Sequence, residues 1–109
     1  KDDVFRQFIS KEYPWHCDFY IKSINTFIEL QGMWTHGGHP YNPNSIEDQA
    51  KLQRWQSKVN NGSRFYKSAI KVWTQSDVDK RKTAIKNNLK YIEVFDSKNF
   101  EILYNLSIL

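Results

Sequence analysis

The chain has 109 residues, of which 39% are hydrophobic and 16% aromatic, so it can form one domain with a core and is too apolar to be disordered. Its net charge of +4 and its pI near 9.2 allow a polyanionic partner such as nucleic acid but do not require one. No apolar run approaches the roughly 20 residues that cross a bilayer, and no signal-peptide pattern is present.

The single cysteine, Cys17, excludes an internal disulfide and fits a reducing, intracellular setting. It falls among the alternating apolar residues of a predicted strand, so we expect it in the core. The first residue is Lys1 rather than a methionine, and a predicted strand begins only three residues later, at Val4. We therefore expect a single domain, residues 1–109, that is a fragment of a longer protein.

A hairpin is predicted in the first third of the chain. Apolar and polar residues alternate over 16–22 and again over 27–31, which is the period of half-buried strands. The Ser-Ile-Asn stretch at 23–25 suits a tight turn between them. If residues whose numbers sum to 47 face each other, Asp18 lies opposite Glu29, with the two side chains roughly 5 Å apart.

Two carboxylates at that separation repel each other, so the pair favours a divalent cation bound between Asp18 and Glu29. Gln31 shares a strand face with Glu29 and adds a polar group that could orient water. An Asp followed about ten residues later by Glu-x-Gln has the form of a nuclease pattern, in which carboxylates hold Mg²⁺ against a phosphate. The alternative is a solvated sheet face, where such residues are ordinary.

The rest of the sequence predicts helices that follow the hairpin, and a closing strand. For the segment 63–74 we favour a helix, and a short buried strand at 69–73 is the alternative. In chain order the other predicted elements are a first strand at 4–9, an irregular loop at 35–44, a helix from Asn44 or Ser45 to 60–62, a helix capped by Thr74 or Ser76 that ends at 87–88, a strand at 91–95 and a last helix after Asp96-Ser97. The expected class is mixed α/β, with a central sheet of three or four strands and flanking helices.

Two histidines, His36 and His39, flank Gly37-Gly38 just beyond the second strand of the hairpin. A neutral imidazole can take a proton from water or give one to a leaving oxygen, so His36 is a candidate general base or acid. One alternative is a zinc site, although no further His/Cys pair has ligand spacing. The other is a loop histidine that caps a backbone group.

Asp77 opens a helix that is rich in basic residues. It is either a first-turn acid favoured by the helix dipole or the acceptor of a hydrogen bond from His36 that fixes the imidazole tautomer. The basic cluster is either a solvated face or a surface that neutralises phosphates. The side chains expected to contact the DNA backbone are Lys80, Arg81, Lys82 and His39.

Three stretches resemble one family of enzymes: YPWHCDFYI at 13–21, FIELQGMWTHGGHPY at 27–41 and VWTQSDVDKRKTAIKNNLKYIEVF at 72–95. They are similar to phage and intron-encoded homing endonucleases related to the very-short-patch mismatch repair endonuclease, within the PD-(D/E)xK nuclease superfamily. The resemblance covers about 4–95. It implies a small PD-(D/E)xK-like restriction-endonuclease fold and a DNA endonuclease that uses Mg²⁺ or Mn²⁺.

The homing branch of this family has a site described as Glu, Asp, a variable residue, His, Asp. By resemblance, Asp18 matches the metal-holding strand aspartate and Gln31 falls at the variable position. His36 matches the catalytic histidine, and Asp77 matches the aspartate that pairs with it. The family glutamate lies on an upstream helix, which we expect to precede this chain. Glu29 replaces a non-acidic residue of the repair enzyme, whose structural zinc has no cysteine set here.

The resemblance implies double-stranded DNA as the partner, no membrane, and a separate module outside this chain for reading a long site. Cleavage of both strands would require a homodimer or successive nicks. The expected location is the cytoplasm of a bacterial host, with a phage or mobile element encoding the protein. The alternative from another class is a non-catalytic DNA-binding or structural domain that retains the nuclease fold.

Overall fold

The computed structural model describes residues 3–31 and 37–96. These residues form one four-stranded sheet and two helical rods, so the mixed α/β class with a small central sheet is confirmed. In chain order the elements are β1 (Val4–Phe8), β2 (Cys17–Ile21), β3 (Thr26–Leu30), α1 (Ile46–Asn60), α2 (Arg64–Lys71), a π-helical segment (Val72–Ser76), α3 (Asp77–Lys86) and β4 (Lys90–Val94).

The sheet is mixed and has the strand order β1-β2-β3-β4. The first three strands are antiparallel neighbours, and β4 runs parallel to β3. A parallel pair requires a long crossover connection, and the helices between β3 and β4 supply it. The predicted strands at 4–9, 16–22, 27–31 and 91–95 are therefore all present, each within a residue or two of its expected limits.

The hairpin of β2 and β3 has the predicted register, because Phe19 pairs with Ile28 and Ile21 with Thr26. A short 3₁₀ turn, Lys22–Ile24, connects the strands and ends at Asn25. Asn25 has φ 48° and ψ 49°, the left-handed conformation that asparagine tolerates better than most residues. The turn residues thus fix the register that brings the two acidic positions together.

The first helix begins and ends where its sequence predicts. Ser45 is the N-cap of α1, and its Oγ accepts a hydrogen bond from the backbone N–H of Asp48. The helix ends at Asn60, next to Gly62, whose φ is +97°. Ser63 caps α2 in the same way, through the N–H of Tyr66, so the helix predicted over 63–74 is confirmed and the alternative strand is wrong.

A separately capped third helix was expected, and this expectation is wrong. The rod continues from α2 through the π-helical segment into α3. Ser76 has helical dihedral angles and makes no capping hydrogen bond, while Thr74 Oγ1 donates to the carbonyl of Ile70. Neither hydroxyl therefore begins a new helix. The rod accommodates an additional residue in the π-helical turn as a π-bulge, a feature often found near functional sites.

Apolar clusters cover both faces of the sheet and fill the space between the helical rods. Buried Phe27 belongs to one sheet face, and its neighbour Ile28 belongs to the other. Cys17 is fully buried, as expected. Between the rods, Trp55 and Trp73 pack with ring centroids 5.4 Å apart. β3 is consequently covered on both sides and is not the half-buried strand that its alternation predicted.

Among the described residues, no helix has the length and apolar character needed to cross a membrane. The irregular loop expected at 35–44 is confirmed for the part that the structure describes, from Gly37 onward. The third helix ends at Lys86, with Asn87 and Asn88 after it, as predicted. The last helix expected after Asp96 lies outside the described residues.

Candidate functional site

Asp18 and Glu29 face each other across the hairpin, and each carboxylate binds the backbone of the opposite strand. The N–H of Asp18 donates to Glu29 Oε1 at 2.9 Å, and the N–H of Leu30 donates to Asp18 Oδ2 at 2.7 Å. Gln7 Nε2 lies 3.3 Å from Asp18 Oδ1. The backbone N–H groups stabilise both charges, so the pair is compatible with the fold without a bridging cation.

Glu29 is buried in a network of donors. It is 3% exposed, the hydroxyl of Tyr13 donates to its Oε2 at 2.5 Å, and Lys80 Nζ lies 3.6 Å from the same oxygen. Burial raises the pKa of Glu29 above its ordinary value of 4.5, although the hydrogen bonds from Tyr13 and Asp18 and the Lys80 charge oppose the shift. Both oxygens of Glu29 are already used by protein donors.

Burial and the bond to Glu29 also raise the pKa of the Tyr13 phenol far above its ordinary value, so this hydroxyl keeps its proton and stays a donor. The Tyr91 hydroxyl lies 3.0 Å from that of Tyr13. The two tyrosines thus extend the polar network from β3 to the neighbouring strand β4 without adding charge.

Glu93 forms a second, partly buried acidic position that the sequence did not indicate. It pairs in register with Glu29, because β3 and β4 are parallel neighbours. Arg81 holds it with two hydrogen bonds, Nε to Oε2 at 2.7 Å and Nη2 to Oε1 at 2.6 Å. Gln31 Nε2 also donates to Glu93 Oε1, at 3.1 Å. The alternation of Tyr91 and Glu93 in β4 was the available signal.

The polar row on this sheet face therefore consists of three carboxylates in neighbouring strands, with the basic helix α3 packed over two of them. Gln31 is as buried as Glu29, so the solvated-face alternative is wrong for both residues. The amide of Gln31 lies against Glu93. Asp18 remains partly exposed.

The basic residues of α3 divide into two groups. Lys80 and Arg81 point to the sheet, where they contact Glu29 and Glu93. Lys82 is exposed at the surface. Of the three α3 residues predicted to contact DNA phosphates, only Lys82 is exposed.

The predicted pairing of His36 with Asp77 lies partly outside the described residues, because His36 is not among them. Asp77 begins α3 and is 1% exposed. Because the rod is continuous through Ser76, Asp77 lies inside a helix and not at a free helix N-terminus, so the dipole of a helix end does not explain its burial.

His39 is bound to a buried carboxylate that the sequence did not pair with it. His39 Nε2 lies 2.6 Å from Asp48 Oδ1, and the N–H of Asn42 donates to Asp48 Oδ2 at 2.8 Å. Burial opposes the charge of Asp48, but the bonds from Asn42 and His39 outweigh it and lower the pKa of this carboxyl. The His39 side chain is 50% exposed. Asp48 lies in the first turn of α1, where the helix dipole favours acidic residues.

The loop that carries His39 is packed against the π-helical segment. Trp73 Nε1 donates to the carbonyl of His39 at 2.8 Å, and the two rings meet edge to face at 5.7 Å. Lys51 Nζ donates to the carbonyl of Gly37 at 2.6 Å. Gly37 has φ +72°, and a Cβ at this position would overlap the Trp73 indole. The loop is therefore rigid immediately after the segment that contains His36.

The two predicted metal ligands differ in their fit to a divalent cation. Within residues 3–31 and 37–96, no group of three His, Cys, Asp or Glu side chains is placed to hold a metal ion. Both oxygens of Glu29 accept hydrogen bonds, so it does not fit as a ligand in this conformation. Asp18 also accepts a hydrogen bond at each oxygen, but it is partly exposed and one of its donors is the exposed side chain of Gln7, so it fits better. Mg²⁺ often binds through one or two carboxylates, with water and substrate phosphate completing its shell.

The buried thiol of Cys17 makes internal contacts. Its Sγ donates to the carbonyls of Phe19 and Ile28, at 3.2 Å and 3.4 Å. Burial raises the pKa of this thiol to about 12, so it stays protonated. Cys17 is a core residue and does not supply a thiolate ligand.

Comparison with protein-family models, with curated proteins and with solved structures finds no match for this chain.

Proposed function

We propose that this chain is the nuclease domain of a homing endonuclease, which hydrolyses phosphodiester bonds of double-stranded DNA with Mg²⁺ or Mn²⁺. The observation that supports it best is the Asp18 carboxylate, fixed by the Leu30 backbone on the face of the sheet that the basic helix covers. The PD-(D/E)xK-like fold belongs to the same proposal. A mixed four-stranded sheet with helices inserted before the last strand supports it.

Asp18 would hold the cation, with water and a DNA phosphate as its other ligands. When bound, the cation lowers the pKa of water and polarises the phosphate. Glu29 accepts a hydrogen bond from the backbone N–H of Asp18, so it acts as a positioning residue for the metal-binding Asp18. Gln31 and Arg81 hold Glu93 and thereby keep the neighbouring strand in place.

His36 is the proposed general base or acid, and Asp77 is the proposed acceptor that orients its ring. Support for the acceptor comes from the burial of the Asp77 carboxylate at the start of α3. Lys82 is the proposed contact to the flanking DNA backbone, because its side chain is exposed on that helix. A phage or mobile-element origin in a bacterial host, and a homodimer for cleavage of both strands, complete the proposal.

The test is cleavage of supercoiled plasmid DNA, with and without Mg²⁺ or Mn²⁺, by the parent chain and by Asp18→Asn and His36→Ala. We expect metal-dependent nicking by the parent and a loss on the order of 10²- to 10⁴-fold for His36→Ala, the range for a general acid or base. Asp79→Asn is the matched control for the loss of charge, because Asp79 is an exposed acidic residue on α3. A variant at Asp18 or His36 that cleaves at the parent rate would refute this site.

A non-catalytic DNA-binding domain is the second candidate, and the internal ion pairs favour it. The donors to Glu29 and the Arg81 fork on Glu93 stabilise the sheet without any ligand. This candidate predicts DNA binding without metal, no cleavage, and the same melting temperature with and without Mg²⁺. Thermal unfolding in EDTA and in Mg²⁺ separates the two candidates, because a cation that binds only the folded chain raises the melting temperature.

A further inference from the structure

A cavity of about 300 Å³ opens on the same face of the sheet as the Asp18–Glu29 pair. Aromatic rings form its walls, and polar side chains lie at its rim. The residues that matter here are Phe8, Glu12, Tyr20, Asn25 and Phe27. Its volume is at the lower end for ligand pockets, which suits a small ring system.

The walls of the cavity are suited to a flat, aromatic guest. Phe8 and Tyr20 stack with ring centroids 4.2 Å apart and an interplanar angle of 13°. Tyr20 and Phe27 lie 4.8 Å apart. Phe27 lines the cavity but is only 3% exposed, whereas Phe8 and Tyr20 are partly exposed. Partly exposed aromatic rings provide stacking surfaces for nucleobases, because every base has a π-face.

The rim supplies a hydrogen-bond acceptor. Glu12 is exposed and lines the cavity, and a carboxylate accepts a hydrogen bond from the exocyclic amino group of a base such as cytosine. The Tyr20 hydroxyl donates to Asn25 Oδ1 at 2.7 Å, which fixes the orientation of that amide. Thymine has no exocyclic amino group, so the rim can distinguish it from cytosine.

The cavity lies one step along the strands from the acidic pair. Tyr20 follows Asp18 by two residues on β2, and Phe27 precedes Glu29 by two residues on β3. Two residues of a strand span about 7 Å. A base in the cavity would therefore place its own backbone close to Asp18.

We propose that this cavity binds an unpaired, amino-bearing nucleobase of a DNA strand whose phosphate lies at Asp18. The proposal rests on the proposed function for its partner, DNA, but not on cleavage. A base that is already unpaired costs less to extract from a duplex than a paired one, so we expect the chain to prefer sites that contain an unpaired base.

The test is fluorescence anisotropy with the Asp18→Asn protein in EDTA, where no metal-dependent cleavage occurs and residue 18 carries no charge that would repel the phosphate. The probes are fluorescein-labelled DNA hairpins that contain one unpaired cytosine, one unpaired thymine or no unpaired base. We expect the cytosine probe to bind at least about fivefold more tightly than either of the others, the lower limit for one stacked or specifically bonded base.

Two variants test the cavity directly. Phe8→Leu keeps an apolar side chain but removes the stacking ring, and we expect it to lose at least about fivefold in affinity for the cytosine probe. Phe65→Leu is the matched control, because Phe65 is exposed on α2 and does not line the cavity. Glu12 is exposed, so Glu12→Ala removes the acceptor without removing a core contact, and we expect it to lose the preference for cytosine over thymine.

Equal affinity for all three probes, or an unchanged preference in Glu12→Ala, would overturn the proposal. Binding of free deoxycytidine monophosphate as tight as that of the DNA probe would also overturn it, since the site would then serve free nucleotides. The two proposals fail separately. Selective binding without plasmid cleavage would refute only the proposed nuclease activity. Cleavage without a base preference would refute only the proposed base-binding cavity.

Discussion

Replacement of Glu29 by alanine would remove the acceptor around which the candidate site is built. The partly buried backbone N–H of Asp18 would lose its partner, at a cost of about 1–3 kcal/mol. The Tyr13 hydroxyl would keep Tyr91, 3.0 Å away, so its loss is smaller, about 1 kcal/mol. Lys80 is 21% exposed and can reach water. We therefore expect Glu29→Ala to lower the free energy of unfolding by about 2–4 kcal/mol.

The assay is equilibrium urea unfolding followed by tryptophan fluorescence and far-UV circular dichroism. Glu29→Gln is the isosteric comparison, because its amide oxygen can still accept from the Asp18 N–H, so we expect a smaller loss. Glu47→Ala, an exposed acid in the first turn of α1, is the surface control and should change stability by less than about 0.5 kcal/mol.

The pH dependence gives an independent check on the buried state of Glu29. Its pKa is raised in the folded chain, chiefly by burial, so the folded state binds more protons than the unfolded state just above pH 4.5. Stability from this group is full below pH 4.5 and is lost as the pH rises through the folded pKa. We expect the stability of Glu29→Gln to increase relative to that of the parent as the pH rises through the folded-state pKa of Glu29.

A Glu29→Ala protein as stable as the parent, or a Glu29→Gln protein with the same pH profile as the parent, would refute a buried anchoring role for this carboxylate.

Two further predictions concern the His39 loop. Gly37→Ala should lower the free energy of unfolding by about 2–5 kcal/mol, because the new methyl group adds left-handed backbone strain and overlaps the Trp73 indole. Gly62→Ala is the control in the same urea assay: its site is open and its φ is +97°, so it should lose only about 1–2 kcal/mol. Equal losses in the two variants would contradict this packing. Asp48→Asn should destabilise the chain most at neutral pH and progressively less as the pH falls below 3.8, because the lowered pKa makes the Asp48 carboxylate stabilising above that value. A difference in melting temperature between parent and variant that stays constant with pH would contradict this prediction.

Local patterns in the sequence were sufficient for the hairpin and the first helix. The register that opposes Asp18 and Glu29 follows from period-two alternation and a three-residue turn, both of which are short-range. Ser45 could be identified as an N-cap because a side-chain oxygen two or three residues before free backbone N–H groups is a local feature. The four strands were located for the same reason.

The tertiary structure decided which polar residues are buried and what they bind. Glu93 meets Arg81, and Glu29 meets Lys80, only because β4 joins β3 in parallel after a crossover of about 60 residues, which places α3 over the sheet. The partner of His39 could not be predicted for a similar reason, since Asp48 lies in the first turn of α1, where acidic residues are ordinary, and only the folded loop brings His39 to it. Alternation assigns a residue to a strand face, but whether that face meets water or a helix depends on contacts between distant segments, and those contacts are not encoded in any short window of sequence.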